Sequence, residues 1–234
     1  MADRVYSLVK QITNWHAEKL DDYTPPFLAK RTKRYGGKAR EHVLSDDEIR
    51  AIWACEDDPT FSNFVKFALL CGQRKQTILA ARWQDISPSG VWTIPDRGDC
   101  AKGTVGKVQL SELALSIVRS QLRIPGKDLI FAAVHGKGAY GAFSRAKKRL
   151  DEASGVTAWR VHDLLRSART LMSRAGVDKD HAEYALGHVI GGVRGAYDRH
   201  KYFDEKSAAL AALAAEIEKI VAAPLPDKVV ALKR

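Results

Sequence analysis

Tyr197 stands in a run of basic side chains, with Arg194, Arg199 and His200 no more than three residues away. A tyrosine in an amphipathic helix usually belongs to the core, but this setting suits a phosphate site better. A phenol has an ordinary pKa of about 10, so only about one in a thousand is ionised at pH 7. It becomes a nucleophile only with a base or a positive environment. The sequence therefore indicates a tyrosine placed among cations that could act on a phosphate.

Three short motifs precede this tyrosine in the chain. They are Gly72-Gln73-Arg74, His162-Asp163-Leu164-Leu165-Arg166 and Leu186-Gly187-His188. Tyr197 follows the last histidine by nine positions. An arginine, a histidine with an arginine, a Gly-His pair and a tyrosine, in this order, resemble the catalytic domain of the tyrosine recombinases, the phage-type integrases. The resemblance covers about residues 44–222.

The resemblance implies site-specific breaking and rejoining of DNA strands through a 3′-phosphotyrosine intermediate. The tyrosine hydroxyl attacks a phosphodiester and the 5′-hydroxyl leaves, so the bond energy is kept and no ATP, metal or other cofactor is expected. Charge develops on the non-bridging oxygens in the transition state and must be met by preorganised cations. Arginine suits this task because its fork is bidentate and always charged.

The family pattern assigns a role to each motif residue. Tyr197 is the expected nucleophile, Arg74 the first phosphate-binding arginine, and His162 and His188 are expected to bond the phosphate or assist proton transfer. Tyr202 is an alternative nucleophile, but it stands fourteen residues after His188 and does not match the motif.

The family also uses a lysine on a β-hairpin as the general acid that protonates the leaving 5′-oxygen. Lys102, in the predicted turn of a hairpin, is the preferred candidate for this role. Lys107 is the alternative, although it falls within a predicted strand.

One catalytic position departs from the family. The second arginine should stand three residues after His162, where this chain has Leu165. On a helix, Leu165 lies about 60° to one side of His162 and Arg166 about 40° to the other, so Arg166 could partly substitute. Losing one transition-state donor typically lowers the rate about 10²–10³-fold. We therefore expect a chain that binds DNA but cleaves it poorly.

The charge of the chain favours a polyanionic partner. The 234 residues have a formal net charge of +10 and a pI near 9.5, which most simply indicates nucleic acid, here double-stranded DNA. A basic protein without such a partner is the alternative. The expected DNA contacts are Lys30, Arg31, Lys33, Arg34, Arg145, Lys147, Lys148 and Arg166.

Cysteine usage and hydropathy favour a reducing cytoplasm, and the resemblance implies a nucleoid-associated protein of a bacterial or phage-infected cell. Cys55, Cys71 and Cys100 form no CxxC pair, so neither a zinc site nor a disulfide framework is indicated. No apolar run approaches the length of a membrane span, and no signal peptide is recognisable.

The hydrophobic pattern predicts a mainly α (α+β) domain, helical with a small three-stranded antiparallel sheet. Ranges 90–95 and 106–110 are the expected hairpin strands and 129–131 the expected third strand. Ser45 followed by Glu48 predicts a capping box, and the very apolar range 59–71 predicts a buried helix.

Three segments are expected along the chain. Residues 1–43 resemble the last helix of a truncated core-binding domain followed by a basic linker, residues 44–222 the catalytic domain, and residues 223–234 a tail. The helix predicted over 205–221 resembles a segment that docks on a neighbouring protomer in assembled recombinases; packing within its own chain is the alternative. A homotetramer on synapsed DNA is the assembly that the family implies, with accessory DNA-bending proteins as further partners.

Two other functions remain open at this point. A DNA-binding regulator on the same fold would tolerate the missing arginine, but retention of the other catalytic residues argues against it. A type IB topoisomerase-like enzyme shares the chemistry, but the Gly-His and tyrosine ending is of the phage type.

Overall fold

The computed structural model describes residues 2–26, 41–95, 106–188 and 201–223 of the chain. Contacts divide the chain into two units, Met1–Glu41 and His42–Arg234. In the first unit, helix α1 (Ala2–Ala17) exposes an apolar stripe, with Leu8 58% and Trp15 55% accessible. No helix in the described ranges is long and apolar enough to cross a membrane.

The second unit is mostly helical. Its helices are α2 (Asp46–Trp53), α3 (Pro59–Cys71), α4 (Lys75–Leu79), α5 (Glu112–Arg119), α6 (Phe143–Ser154), α7 (Val161–Arg174), α8 (Lys179–Ala185) and α9 (Phe203–Ala222). Strands β1 (Val91–Ile94) and β2 (Gly106–Gln109) pair antiparallel, with Val91 opposite Gln109 and Ile94 opposite Gly106. The predicted α+β class with its hairpin is thus confirmed.

The expected third strand over 129–131 is wrong for the described residues, where the sheet has two strands. Leu129 makes only an isolated bridge to Arg82, and the Ile130 amide donates to the Ala81 carbonyl at 3.0 Å. The segment pairs with the loop after α4, and that loop does not continue as a strand. A ladder therefore cannot extend beyond these contacts.

Helix α3 is the centre of the core because ten of its thirteen residues are buried. Its ends follow from local sequence. The Asp58 carboxylate accepts a hydrogen bond from the Phe61 amide at 3.0 Å, and Pro59 occupies the first turn, where its missing amide hydrogen costs nothing. Gly72 ends the helix in the left-handed region, at φ 59°.

Local capping also fixes the start of the second unit. The Ser45 hydroxyl accepts from the Glu48 amide at 3.2 Å, and the Glu48 carboxylate accepts from the Ser45 amide at 2.8 Å. The predicted capping box is confirmed, and it satisfies two amides that an uncapped helix would leave without partners.

Helix α9 packs on its own chain, which decides between the two alternatives left by the sequence. Leu210, Leu213, Ile217 and Ile220 form one helical stripe and are at most 4% exposed. The helix lies against α2, α3, α7, α8 and β2. The stripe that the sequence shows is therefore already covered within the described domain.

Replacement of Gly72 by alanine tests how tightly the end of α3 is packed. A Cβ at Gly72 would overlap the side chain of Leu186 and lie 3.5 Å from the Cβ of Ala168. Gly155, which ends α6 at φ 73°, has nothing within 4 Å of such a Cβ and is the matched control. We expect Gly155→Ala to lower the free energy of unfolding by about 1–2 kcal/mol through backbone strain alone. Gly72→Ala should lower it by about 1–3 kcal/mol more through overpacking. Urea unfolding measures both, and equal losses would contradict the close approach.

Candidate functional site

The structure describes four of the six predicted catalytic positions: Arg74, His162, Leu165 and His188. The predicted site residues that lie outside the described residues are Lys102, Tyr197, Lys30, Arg31, Lys33 and Arg34. The alternative general acid, Lys107, is an exposed residue of β2 opposite Thr93.

The motifs that are far apart in sequence meet at one junction of three helices, formed by Gly72, Ala168 and Leu186. Gly72 at the end of α3 packs against Ala168 of α7 and against Leu186, which caps α8. Arg74 stands two residues after Gly72, and His188 two residues after Leu186. His162 lies in the first turn of α7, about 9 Å along the helix from Ala168. The junction therefore brings together the chain segments that lead to Arg74 and to His188.

A buried glutamine fastens this junction. Gln73 is 3% exposed, and its side-chain amide donates to the Ala185 carbonyl at 2.7 Å and to the Cys71 carbonyl at 3.2 Å. Ala185 is the last residue of α8, so the bond ties the strand of chain leading to Arg74 to the helix end that precedes His188. Sequence reasoning missed Gln73, since nothing in its neighbours predicts a partner 112 residues away.

Gly187 and His188 end α8 in a turn that two backbone hydrogen bonds hold. The His188 amide donates to the Glu183 carbonyl at 2.9 Å, and the Gly187 amide donates to the Tyr184 carbonyl at 3.1 Å. Gly187 has φ 68°, which favours glycine. This geometry is a Schellman motif, and it folds His188 back over the end of the helix.

The ring of His188 is held by a carboxylate. Its Nδ1 lies 2.5 Å from Oε2 of Glu183, and Nε of Arg169 donates to Oε1 of the same carboxylate at 2.8 Å. Partial burial raises the pKa of the Glu183 carboxyl, but the hydrogen bonds from Arg169 and His188 outweigh it and hold that pKa below its ordinary value. Arg169 and Glu183 were not among the sequence-based candidates, although Arg169 follows His162 by seven residues and so shares its helix face.

The face of α7 at Leu165 is apolar. His162 is exposed, whereas Leu165 is 7% exposed and lies outside the main core cluster. The guanidinium of Arg166 bonds the Asp163 carboxylate at 3.0 Å, and Asp163 is 1% exposed. Its other oxygen accepts from the Arg160 amide at 2.9 Å and so caps the helix. Arg166 therefore compensates a buried charge that belongs to the structure of α7.

The basic residues predicted on α6 differ in how they are engaged. Lys147 bonds Asp151 at 2.6 Å and stands 4.6 Å from the centre of the Trp159 ring. Lys148 lies 3.7 Å from Glu152 on the surface. Arg145 is exposed, and no ion pair engages it within the described part of the chain. Of these three residues, Arg145 therefore has the fewest side-chain interactions within the described part of the chain.

Lys75, directly after Arg74, is a further cation that sequence reasoning did not assign. Its ammonium lies 3.5 Å from the centre of the Phe143 ring, and burial lowers its pKa.

No group of three or more His, Cys, Asp or Glu side chains in the described ranges is arranged to hold a metal ion.

Replacement of Gln73 by methionine, of similar length, tests the bond that fastens the junction. The change leaves the buried Ala185 carbonyl without this donor, so we expect the free energy of unfolding to fall by about 1–3 kcal/mol. Gln109 bonds the Ser89 carbonyl at 2.9 Å in an exposed position, where water can replace it. Gln109→Met is therefore the matched control and should cost under about 1 kcal/mol. Equal costs in chemical denaturation would argue against a structural role for Gln73.

Acid titration of stability tests the environment of Glu183. Its folded-state pKa lies below the ordinary 4.5, so the folded chain binds fewer protons there than the unfolded chain. The carboxylate therefore contributes stability that is complete above pH 4.5 and is lost as the pH falls through the folded-state value. We expect the free energy of unfolding of Glu183→Gln to decline less steeply than that of the parent below this pH. Parallel declines would contradict the assigned pKa direction.

Comparisons with known proteins agree with this geometry. The sequence profile described as the phage integrase family matches residues 42–202. An integrase from mycobacterium phage Brujita superposes with a TM-score of 0.60 at 16% identity, and the match covers 91% of this chain and 75% of that one. A lambda integrase(75-356) dimer bound to a COC' core site gives a TM-score of 0.56 at 18% identity, covering 78% of this chain and 69% of that one. No curated protein sequence matches the chain.

The structural likenesses, at these identities, establish the fold, and the family profile covers more than half of the 234 residues. The chain belongs to the phage integrase family, the tyrosine recombinases.

Proposed function

We propose that this chain acts on double-stranded DNA as a site-specific recombinase that works through a 3′-phosphotyrosine intermediate, and that Leu165 impairs its cleavage step. The observation that supports this best is the junction of Gly72 with Ala168 and Leu186. Arg74 stands two residues after Gly72, and His188 two residues after Leu186, whose side chain lies against that glycine. A phosphate held there would meet a guanidinium and an imidazole together.

Tyr197 is the proposed nucleophile, and the described chain on its C-terminal side supports this. The Tyr202 ring stacks on the ring of Tyr184 in α8, with centroids 4.1 Å apart and planes 9° apart. Tyr197 precedes Tyr202 by five residues, and five extended residues span at most about 17 Å. Chain connectivity alone thus keeps the Tyr197 backbone within that distance of Tyr202. Stacking on Tyr184 holds the Tyr202 ring against α8, which favours Tyr197 as the nucleophile.

The charges around Leu165 are the reason for proposing impaired cleavage. Arg74 provides one phosphate-binding cation, but Leu165 provides none. Arg166 is bonded to Asp163, so the two together add no net charge. We expect the transition state to lack one cation, at a cost of about 10²–10³ in rate. His162, His188 and the lysine general acid, Lys102 or Lys107, remain to assist the phosphate and the leaving oxygen.

DNA is the proposed partner because the chain has a net charge of +10 and Arg145 is exposed near the start of α6. Lys148 on the same helix and the basic linker residues 30–34 would add further phosphate contacts. Binding should weaken steeply with salt. We also propose that synapsed DNA assembles four copies of the chain, as the family implies.

A second candidate, a DNA-binding regulator without cleavage activity, is favoured by one observation. Leu165 is buried rather than exposed, so the position fits an apolar side chain well. A chain that has lost its reaction would tolerate such a replacement.

A covalent-adduct assay tests the proposal. The chain, Leu165→Arg and Leu165→Met are each incubated with nicked duplex DNA carrying the attachment core, and adducts are separated on a denaturing gel. Arginine should restore the missing cation and raise adduct formation at least about 100-fold. Methionine conserves the volume without the charge and should give no gain. Tyr197→Phe, introduced into Leu165→Arg, should abolish the adduct.

Two other outcomes distinguish the alternatives. Equal adduct in the parent and in Leu165→Arg, lost on Arg166→Ala, would show that Arg166 already supplies the cation and would overturn the proposed impairment. Absence of adduct in every version, with DNA binding intact, would favour the regulator.

A further inference from the structure

We propose that Glu183 and Arg169 are positioning residues for His188, in which the Glu183 carboxylate fixes the proton of the imidazole on Nδ1 and turns Nε2 into the nitrogen that acts on the substrate. The catalytic meaning of this inference rests on the proposed recombinase function. The tautomer itself is a property of the chain alone.

The geometry fixes the carboxylate from two sides. Arg169 donates from Nε to Oε1 at 2.8 Å, while Nδ1 of His188 lies 2.5 Å from Oε2. The Arg169 guanidinium also donates to the Ser173 hydroxyl. With both oxygens engaged, the carboxylate cannot rotate away from the ring without breaking a charge-assisted bond.

His188 is bound to the same residue through its backbone as well. Its amide donates to the Glu183 carbonyl at 2.9 Å, within the turn that ends α8. Backbone and ring are thus attached to a single glutamate, which restricts both the position and the rotation of the imidazole. A carboxylate only accepts hydrogen bonds, so this contact requires a proton on Nδ1.

The contacts from Arg169 through Glu183 to His188, here called the relay, join α7 to the end of α8 beside the proposed phosphate site. Arg169 comes seven residues after His162, so it lies within about 20° of the same direction around α7. Its neighbour Ala168 faces Gly72, two residues before Arg74, where an added Cβ would lie 3.5 Å from the Ala168 Cβ. Arg169 would therefore influence a bound phosphate through its bond to Glu183 and not by direct contact.

Exposure favours orientation over stability as the role of the relay. The three side chains are 24%, 26% and 34% exposed for Arg169, Glu183 and His188, and ion pairs of this kind add little net stability. Arg174, on the same helix, makes a comparable pair with Glu216 at 2.7 Å and also bonds Asp46 at 2.8 Å. It offers a control in which an ion pair of α7 is broken away from His188.

The tautomer is measured directly in the chain as it exists, without DNA. Long-range proton–nitrogen NMR of ¹⁵N-labelled protein at pH 8.5 reports which ring nitrogen of His188 is protonated, and His188→Gln assigns the signal. We expect Nδ1 to be protonated in the parent, in Arg174→Ala and in Glu183→Gln, whose amide oxygen still accepts. Glu183→Ala should shift the proton to Nε2. A parent ring protonated on Nε2 alone, or a spectrum unchanged in Glu183→Ala, would overturn the proposal.

The rate of covalent-adduct formation, measured in the Leu165→Arg background, is the second test. Glu183→Ala and Arg169→Ala should slow adduct formation about 10–100-fold at saturating DNA, as loss of an orienting partner does elsewhere, with DNA affinity unchanged. Glu183→Gln should retain most of the rate, and Arg174→Ala all of it. A tautomer shift without any loss of rate would overturn the positioning role. If no version forms an adduct, the proposed function has failed, and the NMR result still decides whether Glu183 sets the tautomer.

Discussion

The contact of Gly72 with Leu186 and Ala168 is the constraint on which the arrangement of the site depends. Helix α3 is buried along most of its length, so the direction of its last turn is set by the core. A residue without a Cβ at that turn lets α7 and the end of α8 approach closely, and the Gln73 amide then bonds the last carbonyl of α8. The chain segments that lead to Arg74 and His188 are brought together by packing, although neither residue is part of the core.

The proposed impairment by Leu165 depends on the charges of α7. Two arginines follow Leu165 closely, but each is bonded to a carboxylate, Arg166 to Asp163 and Arg169 to Glu183. One carboxylate caps the helix and the other holds a histidine. Both arginines therefore already neutralise structural charges, and a dianionic transition state beside Leu165 would gain less from them than from a guanidinium with no internal partner.

Local signals in the sequence were sufficient for much of the fold. The capping box of Ser45 and Glu48 and the bounds of α3 depend on residues within a few positions of each helix end, so they could be read in advance. The third strand was wrong because an apolar triplet looks like a strand whether or not a partner strand exists. The apolar stripe of α9 showed that the helix is buried, but it could not show which surface covers it.

The sequence predicts the motif residues of the candidate site but not the contacts that hold the described ones in place. The ordered set of arginine, histidines and tyrosine identified the family, whose profile matches residues 42–202. The bonds of Gln73 to Ala185 and of Arg169 to Glu183 join residues 112 and 14 positions apart, and both depend on the packed helices. No periodicity or short motif encodes such contacts, so they emerged only from the structure.

The central claim is that Leu165 leaves one charged oxygen of the scissile phosphate without a cation. The most direct measurement compares adduct formation on nicked core DNA with a phosphodiester and with an uncharged methylphosphonate at the scissile position. Removing that charge should remove the need for the missing arginine. The account predicts that the chain reacts at least about tenfold faster with the methylphosphonate, while Leu165→Arg gains no such advantage. The same ratio of rates in both proteins would contradict it.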